Sequence, residues 1–290
     1  MRHKTLKIGV VPYLNARSLA YGLKGREGLE VIEAVPSKLA SLLAESQIDC
    51  GIIPSIEYFR QAAAWPATDG ISGLKIIPDI SIAALGEVWS IRLFAKKALA
   101  EVESVALDEA SRTSAALTKI IFKERFGKEP QWKSLEPKTN LEGLKADAAL
   151  LIGDPAMQRE PAGLRVYDLG KLWQEMTGLA FVYALWVVRS RRARSSLTGP
   201  VRTDYEMFFG ALPAILSEAR ARGLAHLSEI TKTESKRLGL PEALCYEYLT
   251  KIMRYDLGAE ELTGLKKFYE YAVKLGLAPE GVEIKFFGNG

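Results

Sequence analysis

The sequence predicts an α/β fold arranged as two lobes, on three observations. Short apolar runs alternate with amphipathic stretches through the first two-thirds of the 290 residues, the pattern of βαβ units and a mostly parallel sheet. The alternation is interrupted once, where two strand-like runs meet at Gly86-Glu87, and then restarts. From about Val201 onward the pattern is mainly helical. Two sets of βα units and a helical tail imply a discontinuous lobe I, residues 1–92 with 188–290, and a lobe II of residues 93–187.

The elements follow in order. Ile8 to Val11 and Leu29 to Val35 read as strands, and a helix runs from Ser37 to Glu45 with Ser37 as its N-cap. Cys50 to Ile53 is a strand ended by Pro54, and Ser55 to Ala64 a helix with Ser55 as N-cap. Ile80 to Leu85 and Val88 to Phe94 are strands rich in β-branched and aromatic residues. Val105 to Leu107 is a strand, and Ser111 to Phe126 a helix with Gly127 suited to its end. Ala148 to Ile152 and Phe181 to Val188 are further strands. In the tail, Thr203 to Arg222, Leu227 to Leu238, Pro241 to Ile252 and Ala259 to Leu275 read as helices, with Pro241 in a first turn.

Composition narrows the function. Apolar residues at 48% and charged residues at 26% exclude a disordered or fibrous chain. A net charge of +4 is too mild to indicate nucleic acid. The basic run Arg189, Arg191, Arg192 and Arg194 has no interleaved aromatics, so it reads as a solvated loop or an anion-facing rim. Cys50 and Cys245 form no disulfide framework, which fits a reducing compartment. No signal-length apolar run precedes Pro12, and no stretch approaches about 18 uninterrupted apolar residues. The expectation is a cytoplasmic protein with no membrane segment.

Absent motifs narrow the chemistry further. The histidines are His3 and His226, and no HExxH, Cys/His cluster, EF-hand loop, GxGxxG or P-loop occurs. Neither a metal nor a cofactor is expected. Proton transfer in such a protein falls to a carboxylate, Lys, Tyr or the substrate itself.

Candidate site residues cluster at strand ends, where open α/β sheets bind ligands. Ser111, Arg112, Thr113 and Ser114 open a helix after a strand. Free N–H groups, three hydroxyls and a guanidinium there suit a carboxylate, although N-capping with an exposed Arg explains the same residues. Asn15 either caps the segment after the first strand or offers its amide to a ligand. Ser90, inside an apolar run, is structural or a hydrogen-bond donor; no GxSxG elbow supports a nucleophile. Gly153 and Asp154 end a strand, and Asp154 reads as a cap or a cleft residue. Thr177 and Gly178 precede another strand, and Ser55 and Glu57 start a helix. The whole implies a cleft for a small carboxylate.

The segments KIGVVPYLNARSLAYGL, IDCGIIPSIEYF, IPDISIAALGEVWSIRLF, VALDEASRTSAALTKIIFKERFG, ADAALLIGDPAM and YDLGKLWQEMTGLAFVYALWVV, in that order, resemble the chorismate dehydratase family of the futalosine route to menaquinone. The resemblance spans roughly residues 7 to 188. It implies a type II periplasmic-binding-protein-like fold, with mixed sheets flanked by helices and the ligand cleft between lobes. It implies a hydro-lyase that takes water from chorismate, a dicarboxylate, to give 3-[(1-carboxyvinyl)oxy]benzoate, with the substrate's enolpyruvyl carboxylate accepting the ring proton. Asn15 and Ser90 match the family's catalytic positions. Ser111, Arg112, Thr113 and Ser114 match a carboxylate clamp, with Gly153, Asp154, Thr177 and Gly178 as cleft lining. Glu87 and Ala180 stand where the family usually has proline. Two other readings share the fold: a binding protein for a small carboxylate, and 1,4-dihydroxy-6-naphthoate synthase, whose reaction favours a histidine base that this sequence scarcely offers. A regulator's effector-binding domain is disfavoured because no helix-turn-helix precedes the first strand.

Overall fold

The first strand, β1 (Leu6–Val10), lies between β2 (Leu29–Glu33) and β3 (Cys50–Pro54), parallel to both. The computed structural model describes residues 5–64, 73–108, 110–135, 141–160, 163–190 and 206–288. Helix α1 (Pro36–Ala44) connects β2 to β3, and α2 (Ser55–Ala64) follows β3 directly. Pro36, not Ser37, sets the start of α1: its fixed φ suits the first helical position, and Val35 is the capping residue without a side-chain bond. The Ser37 N–H instead donates to Ala110 O at 3.2 Å.

After β4 (Gly73–Ala84) the chain crosses to a second sheet. That sheet takes β5 (Ile91–Ala95), β6 (Ser104–Leu107), β7 (Gln131–Ser134), β8 (Ala148–Ile152) and β9 (Arg165–Asp168), in the order β7-β6-β8-β5-β9. Helices α3 (Arg112–Phe126), α4 (Gly153–Gln158) and α5 (Leu169–Thr177) belong to this part. The chain then returns through Gly178–Ala180 to β10 (Phe181–Ser190), which pairs antiparallel with β3 and β4. The first sheet reads β2-β1-β3-β10-β4. Both sheets hold three parallel strands joined by one reversed strand to a fifth. The two sheets and their helices are the observed α/β fold.

Two boundaries differ from the sequence reading. β10 belongs to the first sheet, whereas a lobe II ending at residue 187 would put most of it in the second. A long apolar run looks the same in either sheet, and only the pairing partners distinguish them. Likewise β5 starts at Ile91, because Trp89 has φ +56°, a left-handed conformation that no strand accommodates.

The tail forms α6 (Leu212–Ala225), α7 (Leu227–Leu238), α8 (Glu242–Glu247) with a π-helical turn over Tyr248–Ile252, and α9 (Ala259–Lys274). Pro241 sits one residue before α8, as its N-cap. The tail packs on the first sheet: Arg254 bridges Ala83, and Ile76 bridges Phe286. Arg189 is buried in β10 rather than solvated. Its guanidinium donates to Ala44 O at 2.9 Å and to the Ser46 hydroxyl, satisfying the last carbonyls of α1. Arg191, Arg192 and Arg194 lie outside the described residues.

One contact fixes the second crossover. Gly264 of α9 presses on the Ala180 carbonyl, and a Cβ there would stand 1.9 Å from that oxygen. Gly264→Ala should therefore destabilise the protein by about 1–3 kcal/mol. Helix propensity alone would stabilise it by about 1 kcal/mol. Urea unfolding separates the two, and a raised midpoint would refute the packing account.

Among the described residues no helix is long and apolar enough to cross a membrane. Nor do these residues contain a group of three or more His, Cys, Asp or Glu placed to hold a metal ion.

Candidate active site

The ends of β1, β3, β5, β8 and β10 and the start of α3 face one another across a cavity with about 470 Å³ of empty space. Its polar lining is Tyr13, Asn15, Ser90, Ser111, Thr113, Ser114 and Tyr183, set among Val11, Pro36, Pro54, Ile82, Ile91 and Ile152. None of the described lining residues is an Asp, Glu, His, Lys or Arg. Burial lifts the Tyr13 phenol to about 12, with Asp108 and Asp154 adding to the shift, and pushes the Tyr183 phenol well up. Both phenols stay protonated at neutral pH.

On one side, α3 presents its N-terminus. Ser111 is the N-cap and its hydroxyl accepts the Ser114 N–H at 3.3 Å, which ends the capping question in favour of a cap that also lines the cleft. The first-turn N–H groups give this side a partial positive charge. The Thr113 hydroxyl lies 3.4 Å from Ser55 Oγ and accepts the Ile56 N–H at 3.3 Å, tying α3 to α2.

Opposite, Asn15 stands in a single 3₁₀ turn, Leu14–Ala16, directly after β1. Its Oδ1 is fully buried and without a partner among the described residues. A buried amide oxygen left unpaired costs about 1–3 kcal/mol, so this oxygen is available to a hydrogen-bond donor that enters the cavity. The turn is held from the other sheet: Asp154 accepts the Leu14 N–H at 2.8 Å and is paired with Arg237 at 2.7 Å.

Ser90 lies at the first crossover and is buried. Its carbonyl accepts the Gly153 N–H at 2.7 Å, and its Oγ accepts from the Tyr248 hydroxyl at 2.7 Å. The left-handed turn before it is clamped by one carboxylate. Asp168 accepts the Val88 and Trp89 N–H groups at 3.0 and 2.7 Å, while also capping α5 through Gly170 and Lys171. Burial raises the Asp168 carboxyl above its ordinary value despite these donors. Gly153 has φ +64°, and a Cβ there would stand 2.9 Å from the Tyr13 ring, so only glycine lets that ring close the cleft wall.

Other expectations change. Arg112 does not line the cavity: it pairs with Glu57 at 2.8 Å and donates to Ser41 Oγ at 3.3 Å. Glu57 also holds Arg60 at 2.9 Å, so this buried carboxylate is turned to its own cations. At the start of α3 the residues that line the cavity are accordingly Ser111, Thr113 and Ser114, without the guanidinium. Ser55 is no N-cap and no lining residue; its hydroxyl donates to Val182 O at 2.7 Å. Thr177 and Gly178 also lie off the lining. Thr177 Oγ1 donates to Trp173 O, and Gly178, with φ +72°, ends α5. Asp154 supports the Asn15 turn from behind instead of facing the cavity. Glu87 is exposed and paired with Lys171, away from the lining. Tyr13 and Tyr183, which line the cavity, and Tyr248, which bonds Ser90 from behind, were missed because tyrosines in apolar surroundings carry no local sign of where their hydroxyls reach.

Comparisons with known proteins bear on the family and the fold. A family model described as menaquinone biosynthesis matches residues 6–274. A chorismate dehydratase of Thermus thermophilus is 34% identical, the match covering 94% of this chain and 96% of the relative. A chorismate dehydratase of Campylobacter jejuni is 26% identical over 92% and 93% of the two chains. In fold, the chain resembles the periplasmic aliphatic sulphonate binding protein of Escherichia coli, with a TM-score of 0.61, 18% identity, and coverage of 97% and 96%. Matched over nearly its whole length, the chain belongs to the menaquinone biosynthesis family.

Proposed function

We propose that the cleft dehydrates chorismate to 3-[(1-carboxyvinyl)oxy]benzoate, as a hydro-lyase of the futalosine route acting in the cytoplasm. The observation that carries the reading is a mainly apolar cleft whose described lining holds several hydrogen-bonding groups but no ionisable base apart from two suppressed phenols. Such a site suits a reaction whose substrate supplies its own base. The ring C–H proton passes to the substrate's enolpyruvyl carboxylate, and the C–H electron pair becomes the new ring double bond. The C–O bond breaks, and the hydroxyl leaves as water with the proton the carboxylate took. Aromatisation drives the step.

The chain's contribution is placement. The N-terminus of α3 with Ser111, Thr113 and Ser114 holds one carboxylate. Asn15 and Ser90 hydrogen-bond the reacting groups, and the apolar walls exclude water. Fixed dipoles in a dry site need no reorganisation during the reaction, which makes them more effective than the same groups in water.

Incubation of the purified protein with chorismate should give the benzoate ether and one water per turnover, followed by chromatography and mass spectrometry. Chorismate bound but recovered unchanged would overturn the enzymatic reading in favour of a carboxylate-binding protein.

A further inference from the structure

Tyr248 is remote in sequence from the residues that line the cleft and lies behind them, yet it reaches Ser90. It opens the π-helical turn after α8, and such widened turns recur at functional sites. Its ring is 1% exposed and stacks on Trp89, with centroids 6.4 Å apart and planes at 19°. Its hydroxyl donates to Ser90 Oγ at 2.7 Å, a contact buried on both sides.

The direction of this bond matters. A serine hydroxyl accepts through lone pairs and donates a single proton. With the Tyr248 proton on its oxygen, Ser90 has its own proton available for another acceptor. A Ser90 that donated to Tyr248 instead would present only lone pairs to the cavity. Burial holds the Tyr248 phenol far above its ordinary value, so it remains a donor across the working pH range. The left-handed Trp89 turn, clamped by Asp168, fixes the backbone from which Ser90 projects.

We propose that Tyr248 is a positioning residue that orients the Ser90 hydroxyl as a hydrogen-bond donor toward the departing hydroxyl of the substrate. This rests on the dehydratase reading above. The two fail separately: a wild-type protein inert toward chorismate sinks the activity, whereas an active wild type with an undiminished Tyr248→Phe variant sinks only this inference.

The experiment is a double-mutant cycle on the full chain with chorismate. Tyr248→Phe should lower kcat about ten- to a hundredfold, less than the 10²–10³ typical of losing a donor in direct contact, with KM within about twofold. Ser90→Ala should lower kcat at least as much, and Ser90→Ala/Tyr248→Phe should match Ser90→Ala. The double variant leaves neither hydroxyl unpaired, so it should fold even where the single one is weakened. Tyr246→Phe, at a half-exposed ring two residues away, serves as the neutral control. Additive losses in the cycle, a KM rise in place of the kcat fall, or a drop in Tm for Tyr248→Phe that the double variant shares would assign the tyrosine a structural role and overturn the proposal.

Discussion

Asn15→Ala is expected to cut kcat for chorismate dehydration by about 10²–10³ while leaving KM nearly unchanged. The Asn15 Oδ1 is buried at the cleft and has no partner among the described residues. A group held unpaired in the free protein has already met its desolvation cost, so its bond to substrate is gained in full. An amide that strengthens its bond as charge shifts in the ring lowers the barrier rather than merely improving binding. Removing it should leave the fold intact, because Oδ1 has no partner to lose among the described residues. Steady-state kinetics with circular dichroism would check this, and a variant retaining more than about a third of the wild-type kcat would contradict the role.

Asp154→Ala should cost about 2–4 kcal/mol of stability, because it unmakes a buried charged network. The carboxylate side chain is 8% exposed and accepts both the Leu14 N–H and Arg237. Arg237 also pairs with Glu234, which in turn pairs with Arg17. Truncation strands a buried N–H and leaves Arg237 with one partner. Asp154→Asn keeps an acceptor and should lose less. Because Leu14 precedes Asn15, activity should fall along with stability, and urea midpoints read beside kcat would show both. A variant as stable as wild type would refute the network's structural importance.

Where local rules decide the outcome, the sequence was enough. Ser111 and Gly127 cap α3 because a side-chain oxygen and a left-handed glycine are short-range signals. Leu227–Leu238 and Ala148–Ile152 match their helix and strand because period and burial agree. The fold class followed from such elements. Side-chain direction did not, as it depends on partners distant in the chain. Arg112 is turned by Glu57, 55 residues earlier. Tyr248 meets Ser90 across 158 residues. Trp89 occupies a conformation that an apolar run disguises as strand, because what holds it is Asp168, 79 residues on. The site was thus legible as a set of strand ends and capped helices, but not as a set of contacts.

The placement of Ser90 at the first crossover has a kinematic consequence. Two short segments, 85–90 and 178–180, are the only described connections by which the chain passes between the sheets. In any rigid rotation about them, a point is displaced in proportion to its distance from the axis. Ser90 ends the first of these connections, so such a rotation would displace it little, while residues farther from the axis would sweep longer arcs. A rotation that opened or closed the cavity would therefore leave the Ser90 hydroxyl near its place and change mainly what comes to face it.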